Sequence, residues 1–364
     1  MGFDSETIKS IEMCRFCFMC RHACPTFLVT KQDSNTPRGY ALLVSRVIDG
    51  LSDWTPDTVE KIYQCSQCSL CKELCEFHWK EDEIVRKARE VIVEESKAPN
   101  IVLKTASSIL EEAKSANVSH LSKHPAVLYY PGYRTSTKRP EIINSMILIL
   151  EKMQLEWSLL DDRLSTGMEL HELGFSEEST KTAQRFSEVV ANVNPGILLT
   201  NCPHSLKALR DDFLKWNIQV PSSVKIMHTT EFLLDSIRNG KLRISRKANV
   251  ESAGYHDPCN LGRKLGIYDT PRELIQICIG YAPREFLHSR GEAECCGQGS
   301  CMGETNPELA AKISENRLKM AEGSGIAVVY SSCQNCVSGF ASSKQVMNGK
   351  IIAKDVVELV SEVI

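Results

Sequence analysis

The sequence predicts a combined α+β and α/β fold class, in which a mainly helical N-terminal domain precedes two duplicated small α/β units. The first hundred residues carry two matched runs of four cysteines, joined by segments whose apolar residues have helical spacing. After them, short apolar strands alternate with helices, and this order occurs twice. We therefore divide the chain into an N-terminal domain (1–100), a linker helix (101–123), a first α/β unit (124–246) and a second (247–364).

Composition and charge limit the class of protein. The chain has 364 residues, enough for two or three domains, with a net charge of −3 and 16 cysteines. The balanced charge gives no sign of a nucleic-acid or anionic membrane partner. The N-terminal sequence has no apolar signal core, and the most apolar stretch, residues 142–150, is too short to span a bilayer. We expect a cytoplasmic protein, at most peripheral at the inner membrane through a partner, whose cysteines bind metal and do not form disulfides.

Each cysteine run of the N-terminal domain has the spacing Cys-x2-Cys-x2-Cys-x3-Cys. Such a ferredoxin run provides three thiolates to one cubane 4Fe–4S cluster, while its fourth cysteine reaches the neighbouring cluster. The expected ligands of cluster 1 are Cys14, Cys17, Cys20 and Cys75. The expected ligands of cluster 2 are Cys65, Cys68, Cys71 and Cys24. Zinc is the alternative metal, although this spacing is a poor zinc pattern.

The segments between and after the two runs are predicted to be helical. Thr36 and Pro37 indicate a helix start, because proline suits the first turn of a helix. Further helices are expected at residues 58–63 and 80–95, and the second of these ends before Pro99.

Five further cysteines lie in the second α/β unit, in groups of one, two and two: Cys259, Cys295, Cys296, Cys333 and Cys336. A tetrahedral zinc site needs four ligands, so a fifth thiol would be idle. The adjacent Cys295 and Cys296 point in different directions and are better suited to two irons of one cluster than to a single ion. The alternative is that the five thiols are buried as small hydrophobic groups.

Strands are expected at corresponding points of the two units, with the ligand loops at their carboxyl ends. The predicted ranges are 126–130, 155–160 and 196–200 in the first unit, and 254–256, 285–288 and 326–330 in the second.

The first unit has lost most of the ligand cysteines. The aligned pairs are Tyr133 with Cys259, Ser165 with Cys295, Thr166 with Cys296, Cys202 with Cys333, and Ser205 with Cys336. Hydroxyl and phenol groups are poor substitutes for thiolates on iron, so we expect no cluster in this unit. Tyr133, Cys202 and His204 are expected to be packing and surface residues, with a vestigial pocket as the alternative.

No catalytic residue is assigned from the sequence. His256 and Asp257 flank Cys259 and are candidates for proton transfer to a substrate; the alternative is that they satisfy the backbone of this loop. Cys278 lies in an apolar helix and is expected in the core. Cys301 is either a loop residue or a spare ligand.

The Cys259–Cys336 pattern, with Cys-Cys-Gly at 295–297, resembles the CCG (cysteine-rich) domain. This domain occurs in heterodisulfide reductases, notably in their D subunit, and in iron–sulfur subunits of glycolate and lactate dehydrogenases and of anaerobic glycerol-3-phosphate dehydrogenase. The N-terminal domain is similar to the helical ferredoxin domain of fumarate reductase iron–sulfur subunits. The resemblance covers residues 10–340 and implies a noncubane 4Fe–4S cluster at the five cysteines, besides two 4Fe–4S cubane clusters.

The resemblance implies an iron–sulfur electron-transfer subunit of a multi-subunit oxidoreductase. The sequence has no GxGxxG fingerprint and no P-loop, so a flavoprotein (FAD) partner is expected to perform two-electron chemistry, with electrons relayed to a quinone or other electron carrier. The alternative is a catalytic subunit that reduces a disulfide or thiol substrate at the CCG cluster. A cleft beside Cys295 and Cys296 is expected for the catalytic subunit, and a partner surface over a cluster for the relay.

Overall fold

The computed structural model describes residues 2–15, 17–118 and 121–364. Residues 1 and 16 of the predicted N-terminal domain, and residues 119 and 120 of the predicted linker, lie outside the described residues. Within the described ranges the chain combines helices with two four-stranded parallel sheets. No helix in these ranges has both the length and the apolar character needed to cross a bilayer.

The N-terminal part is helical, as predicted. Its helices are α1 (Ser5–Glu12), α2 (Met19–Ala23), α3 (Pro25–Thr30), α4 (Pro37–Ile48), α5 (Pro56–Tyr63), α6 (Leu70–Glu73) and α7 (Glu81–Glu94). Proline occupies the first turn of α3, α4 and α5, where its missing N–H costs no hydrogen bond. Thr36 caps α4, because its Oγ1 accepts a hydrogen bond from the backbone N–H of Gly39 at 3.0 Å. The linker helix α8 (Asn100–Ser115) follows.

The first sheet has the strand order β2-β1-β3-β4, and all its pairings are parallel. Its elements are β1 (Val127–Tyr130), α9 (Thr135–Lys138), α10 (Pro140–Lys152), β2 (Trp157–Leu159), α11 (Met168–Leu173), α12 (Ser176–Val193), β3 (Ile197–Thr200), α13 (Pro203–Lys207), α14 (Phe213–Lys215), β4 (Lys225–His228) and α15 (Thr229–Arg238). The central strand β1 is buried along its whole length, as is typical of parallel sheets covered on both faces.

The second sheet has the order β6-β5-β7-β8, again parallel throughout. Its elements are β5 (Ala253–His256), α16 (Asp269–Ile279), β6 (Arg284–Glu285), α17 (Met302–Thr305), α18 (Pro307–Gly323), β7 (Val328–Ser331), α19 (Gln334–Ala341), α20 (Lys344–Met347), β8 (Ile352–Asp355) and α21 (Val356–Val363). The predicted strand 285–288 is wrong in its bounds. Only Arg284 and Glu285 pair with β5, because the chain then turns away towards Cys295.

The sequence analysis missed the fourth strand of each sheet. Each of these strands runs directly into a helix through a capping box: His228 with Glu231 at the start of α15, and Asp355 with Glu358 at the start of α21. A short apolar run followed by this capping pattern was the signal that could have revealed both strands.

The two α/β units share one apolar core. Helices α10, α15, α16 and α21 contribute its buried side chains, among them Met146, Leu233, Leu274, Cys278 and Val360. Cys278 is fully buried there, as the sequence analysis expected. Because the helices of both units meet in this core, the two sheets are held in a fixed relation.

The helical N-terminal part packs against the carboxyl ends of both sheets. The Tyr63 hydroxyl donates to the carbonyl of Leu173 at 3.0 Å, and Arg263 Nε donates to the carbonyl of Cys68 at 2.9 Å. The fully buried Arg89 on α7 also donates to the carbonyl of Glu172 at 2.8 Å. These contacts bring the N-terminal cysteine runs next to the loops that follow the strands.

Candidate iron–sulfur centres and an adjoining cleft

The four cysteines assigned to cluster 2 line one cavity. They are Cys24, Cys65, Cys68 and Cys71. Cys65 follows the end of α5, Cys71 lies in α6, and Cys24 immediately precedes α3. Gln67 and Ser69 have positive φ angles of 49° and 62°, which wind the short loop so that its thiols face the same cavity. The structure therefore brings this predicted set together, including the cysteine from the other run.

Three of the cysteines assigned to cluster 1 also lie together. Burial raises the pKa of Cys20 to about 11, and the nearby Cys14 and Cys17 contribute to this rise. Cys14 and Cys75 both pack, partly buried, against the apolar core of the helical part. Cys17 is exposed, so this group of thiols lies at the protein surface.

The five cysteines of the second α/β unit form a continuous series of side-chain contacts, in the order Cys259, Cys295, Cys296, Cys336 and Cys333. Cys259 lies after β5, the adjacent pair lies after β6, and the last two lie at the start of α19, after β7. All three loops leave the carboxyl ends of neighbouring strands, which meet at one edge of a parallel sheet.

Proton sharing within this group fits a metal–sulfur centre. Contact with Cys295 and Cys336 lowers the pKa of Cys296, while contact with that thiolate raises the pKa of Cys336. Thiols crowded in this way bind metal as thiolates, and five of them match a cluster better than a single ion. The residues present thus fit the cluster expected from the sequence.

His256 and Asp257 have different surroundings, although they are adjacent. His256 is buried and offers a ring nitrogen within 4.8 Å of Cys296 and Cys336, so it faces the thiol group. Asp257 points away and is held by Arg272 through contacts of 2.7 and 2.8 Å. It also accepts from the backbone N–H of Arg290 at 2.8 Å, which anchors the loop that leads to the adjacent cysteines.

A contact between the two cysteine systems was not foreseen. Cys68, from the second N-terminal run, touches Cys295, and this contact lowers the pKa of Cys68 to about 5. Arg263 joins the same loops, because its Nη1 donates to the carbonyl of Gly291 at 3.1 Å while its Nε binds the Cys68 carbonyl. No local sequence pattern connects residues so far apart in the chain.

The first unit keeps the loop geometry of the second without its thiols. The backbone N–H of Gly167 donates to Ser165 Oγ at 2.8 Å, as that of Gly297 donates to Cys295 Sγ at 3.3 Å. Both glycines have positive φ angles, 83° and 86°. The Ser165 hydroxyl thus makes the same backbone contact as the Cys295 thiol.

The other aligned residues of the first unit are buried at the junction with the second. Tyr133 donates from its hydroxyl to Glu112 Oε2 at 2.8 Å. Cys202 is fully buried beside Cys333. His204 is 7% exposed, so both it and Cys202 are buried packing residues and neither lies at the surface.

A cleft lies between the two units, with the cysteine loops of the second unit on one wall. A water-sized group has about 50 Å³ of room inside it, and part of the cleft is open to solvent. The cysteine wall carries Cys259, Cys296, Cys333 and Cys336. The opposite wall carries Tyr133, Glu169 and His204 of the first unit, and Cys301 also faces the cleft. Cys301 lies among Glu304, Glu169 and Glu172 instead of joining the five thiols.

Comparison with family models supports both cysteine systems. A model described as a 4Fe-4S dicluster domain matches residues 10–79. A model described as a cysteine-rich domain (CCG) matches residues 253–341. The chain therefore contains iron–sulfur cluster domains at the two positions where the structure gathers its thiols.

Several curated proteins are similar to this chain, over part or nearly all of its length. The D subunit of dihydromethanophenazine:CoB–CoM heterodisulfide reductase from Methanosarcina barkeri is 21% identical over 400 residues, covering 99% of this chain and 97% of that protein. The B subunit of fumarate reductase (CoM/CoB) from Methanothermobacter marburgensis is 22% identical, covering 92% of this chain and 68% of that protein. The probable iron–sulfur-binding oxidoreductase FadF of Bacillus subtilis is 28% identical, covering 45% of this chain and 23% of that protein.

One solved structure shares the fold. The crystal structure of a hypothetical protein from Helicobacter pylori superposes with a TM-score of 0.53 at 10% identity, covering 99% of this chain and 74% of that chain. At this identity the likeness concerns the fold alone.

Proposed function

Because the chain is an iron–sulfur subunit of the oxidoreductase class, we propose that it carries electrons through two cubane clusters to a third cluster at the CCG cysteines, where a disulfide or related sulfur substrate is reduced. The cleft is the observation that carries this proposal. Four of the five CCG cysteines line it on one wall, and Glu169 and His204 line it on the other, so a cluster held by these thiols would face acid–base groups across a cleft that is partly open to solvent.

We propose the ligand sets expected from the sequence. Cluster 1 is bound by Cys14, Cys17, Cys20 and Cys75. Cluster 2 is bound by Cys65, Cys68, Cys71 and Cys24. The third, noncubane cluster is bound by Cys259, Cys295, Cys296, Cys333 and Cys336. When bound, these groups supply one-electron transfer and, at the third site, an iron that can bind sulfur. The cavity lined by the cluster 2 set and the contact series among the five CCG thiols support the assignment.

A continuous route for electrons supports the direction towards the cleft. Cys20 lies close to Cys24, which belongs to the cluster 2 set, and Cys24 lies close to Cys68. Cys68 in turn touches Cys295. The route begins at the exposed Cys17, where a reduced flavoprotein partner would deliver electrons.

The second candidate function is a pure relay, in which electrons leave the CCG site for a quinone or another carrier. Phe18 and Met19, the side chains next to Cys17, are exposed. They favour one surface for a protein partner, at the end of the route where electrons enter. At the other end, Cys296 is only 4% exposed and lines the cleft, which favours a substrate over a second protein partner.

We further infer that the two α/β units, at 124–246 and 247–364, arose by duplication, after an N-terminal domain (1–100) and a linker (101–123). The shared strand order supports this inference. So do the matching glycine contacts at Gly167 and Gly297. The loss of thiols from the first unit leaves that wall of the cleft free for a substrate.

The test is anaerobic purification followed by iron analysis and paramagnetic spectroscopy. Three four-iron clusters predict about 12 iron per chain. Cys296→Ser should lose about four of these irons together with the spectral change that a thiol ligand induces. Cys278→Ser is the matched control, because Cys278 is buried in the shared core and should leave both unchanged. Co-purified flavin with no spectral response to thiol or disulfide would favour the relay, and about 8 iron in the wild type would contradict a third cluster.

A further inference from the structure

Three charged side chains lie buried together in the first α/β unit. Glu169 and Glu172 are three positions apart on α11, so their carboxylates share one face of the helix. His204 lies between them, with Nδ1 at 3.6 Å from Glu169 and Nε2 at 3.0 Å from Glu172. Their exposed fractions are 7%, 2% and 7%. The electron route does not use these residues.

This group separates the cleft from a second cavity with a different character. Glu169 and His204 line the cleft, whereas Glu172 lines a charged cavity together with Lys207, Asp212, Lys264 and further charged residues. The charged cavity reaches solvent at its rim, where the Lys215 side chain is 69% exposed. Imidazole thus joins a carboxylate on the solvent side to a carboxylate on the cleft side.

We propose that Glu172, His204 and Glu169 form a proton path from the charged cavity to the cleft. The proposal rests on the proposed function and deepens it, because reduction of a disulfide consumes protons. The S–S bond breaks, two electrons arrive from the reduced flavoprotein partner through the clusters, and two protons yield two thiols: RS–SR′ + 2e⁻ + 2H⁺ → RSH + R′SH. The electrons and the protons therefore enter the cleft from different sides.

The chemistry of the three side chains suits proton transfer. Imidazole accepts a proton on one ring nitrogen and releases one from the other, and each nitrogen of His204 faces a carboxylate. Glu169 also accepts a hydrogen bond from Ser165 Oγ at 2.5 Å, which fixes its orientation at the cleft. Within the described residues, neither Oε2 of Glu172 nor Nε2 of His204 has a hydrogen-bond partner of normal geometry, so the two groups meet as a close ion pair with unsatisfied atoms on both sides.

The surrounding charges place the resting proton of this group on His204, between two carboxylates. The two carboxylates raise the pKa of His204 well above its ordinary value, against the effect of burial. His204, with Lys264 and Lys207 beyond it, holds the pKa of Glu172 at about 2, despite burial. Tyr130 and Cys301 also face Glu169, and burial raises the pKa of both, so they remain neutral neighbours.

The position of the path explains what replaced the ligands of the first unit. Ser165, aligned with Cys295, orients Glu169, and His204 follows two residues after Cys202, the thiol that aligns with Cys333. Where the second unit gathers thiols at the carboxyl ends of its strands, the first unit gathers acid–base groups facing the same cleft.

The test uses Glu172→Gln, Glu169→Gln and His204→Gln in the full cluster-bearing chain, with Asp162→Asn as the control. Asp162 is a buried carboxylate of the same unit that accepts from Ser136 and lines neither cavity. Chemically reduced protein is mixed with cystamine, a small disulfide, and thiol release is timed. Loss of a general acid typically costs about 100-fold or more, so we expect each path variant to slow by about that factor and the control to match the wild type.

An infrared readout is independent of turnover. Reduction of the clusters should draw protons into the path and produce a carboxyl band in the reduction-induced difference spectrum. We expect this band to be lost in both Glu→Gln variants and kept in Asp162→Asn. Iron content and the extent of cluster reduction, measured on the same samples, show that every variant is folded and loaded.

The outcomes separate the two proposals. Path variants that release thiol at the wild-type rate, or a wild type without the carboxyl band, would overturn the proton path. If the wild type shows the band but neither binds nor reduces cystamine, the disulfide reductase function fails while the path stands. The two Glu→Gln variants are isosteric, so the test does not depend on the His204 variant folding.

Discussion

Arg89 is the side chain through which the helical part is joined to the α/β units, and its removal makes a sharp stability prediction. It is fully buried, and Nη2 donates to the carbonyls of Ile62 at 3.0 Å and Cys65 at 2.7 Å. Nη1 donates to the carbonyl of Glu172 at 2.8 Å and also to the hydroxyl of Ser300. The three carbonyls thus come from the helical part and the first unit, and the hydroxyl from the second.

The magnitude follows from the acceptors that Arg89→Met would leave without a donor. A buried polar group without its hydrogen bond costs about 1–3 kcal/mol. The carbonyls of Ile62 and Cys65 would lose their donor, at a cost of at least about 2 kcal/mol, whereas the Glu172 carbonyl keeps a hydrogen bond from Gln67 Nε2 at 3.0 Å. Because the apolar replacement also removes the free-energy cost of a buried charge, the lower figure applies. For a unit of 150–250 residues, about 2 kcal/mol corresponds to a fall in Tm of roughly 4–8 °C.

The assay is anaerobic calorimetry of the full cluster-bearing chain at one scan rate. Arg86→Met is the matched control on the same helix: Arg86 pairs with Glu90 four residues on, at a partly exposed site, and such a pair contributes about 1 kcal/mol or less. Arg89→Lys keeps the charge with fewer donors and should fall between the two. If Arg89→Met lowers Tm no more than Arg86→Met does, the reasoning from unsatisfied carbonyls is refuted.

Three further predictions concern the pH dependence, the unit junction and the electron entry. Burial raises the pKa of Asp355 to about 8, so its stabilising contribution is complete below about pH 4 and is lost as the pH rises through about 8. Tm should therefore fall over this pH range in the wild type and fall less in Asp355→Asn. The same pH profile of Tm in both proteins would contradict this prediction. Gly132 and Gly50 both have positive φ angles, but only at Gly132 would a new Cβ lie 2.4 Å from a neighbouring side chain. In thermal unfolding, Gly132→Ala should therefore be less stable than Gly50→Ala by about 2 kcal/mol or more. Phe18 and Phe77 are 50% and 51% exposed in the cluster 1 segments. The double variant Phe18→Ser/Phe77→Ser should be reduced by the flavoprotein partner about 10-fold more slowly, with unchanged iron content. An unchanged rate of reduction would argue against electron entry at this surface.

The local patterns of the chain allowed most of the helical part and the strand-to-helix alternation to be predicted. Helix starts such as Thr36–Pro37 are set by short-range sterics and capping, which a sequence shows directly. The strands β4 and β8 were missed because each lies at one edge of its sheet and contains charged residues, so its apolar signal is weak. Strand 285–288 was misjudged because pairing with a neighbour, and not composition, sets where a strand ends.

The residues of the candidate site were also only partly predictable from the sequence. The positions of the thiols were predictable, whereas the acid–base residues were not. His256 and Asp257 stood out in sequence because they adjoin a ligand cysteine, yet Asp257 is held by Arg272 and does not line the cleft. Glu169 and His204 carried no pattern of their own, and only the packing of α11 against the loop after β3 brings them together.

The sequence by itself indicated which chemistry this protein can perform, because the N-terminal cysteines follow one another at spacings that a short loop can span, and the other cysteines form a recognisable pattern. Only the tertiary structure decided how the parts connect: the contact of Cys68 with Cys295, the cleft between the two units, and the carboxylate–imidazole group that faces it. These features join residues that are distant in the chain. Their proximity depends on how helices and sheets pack around the shared core, which no local pattern records.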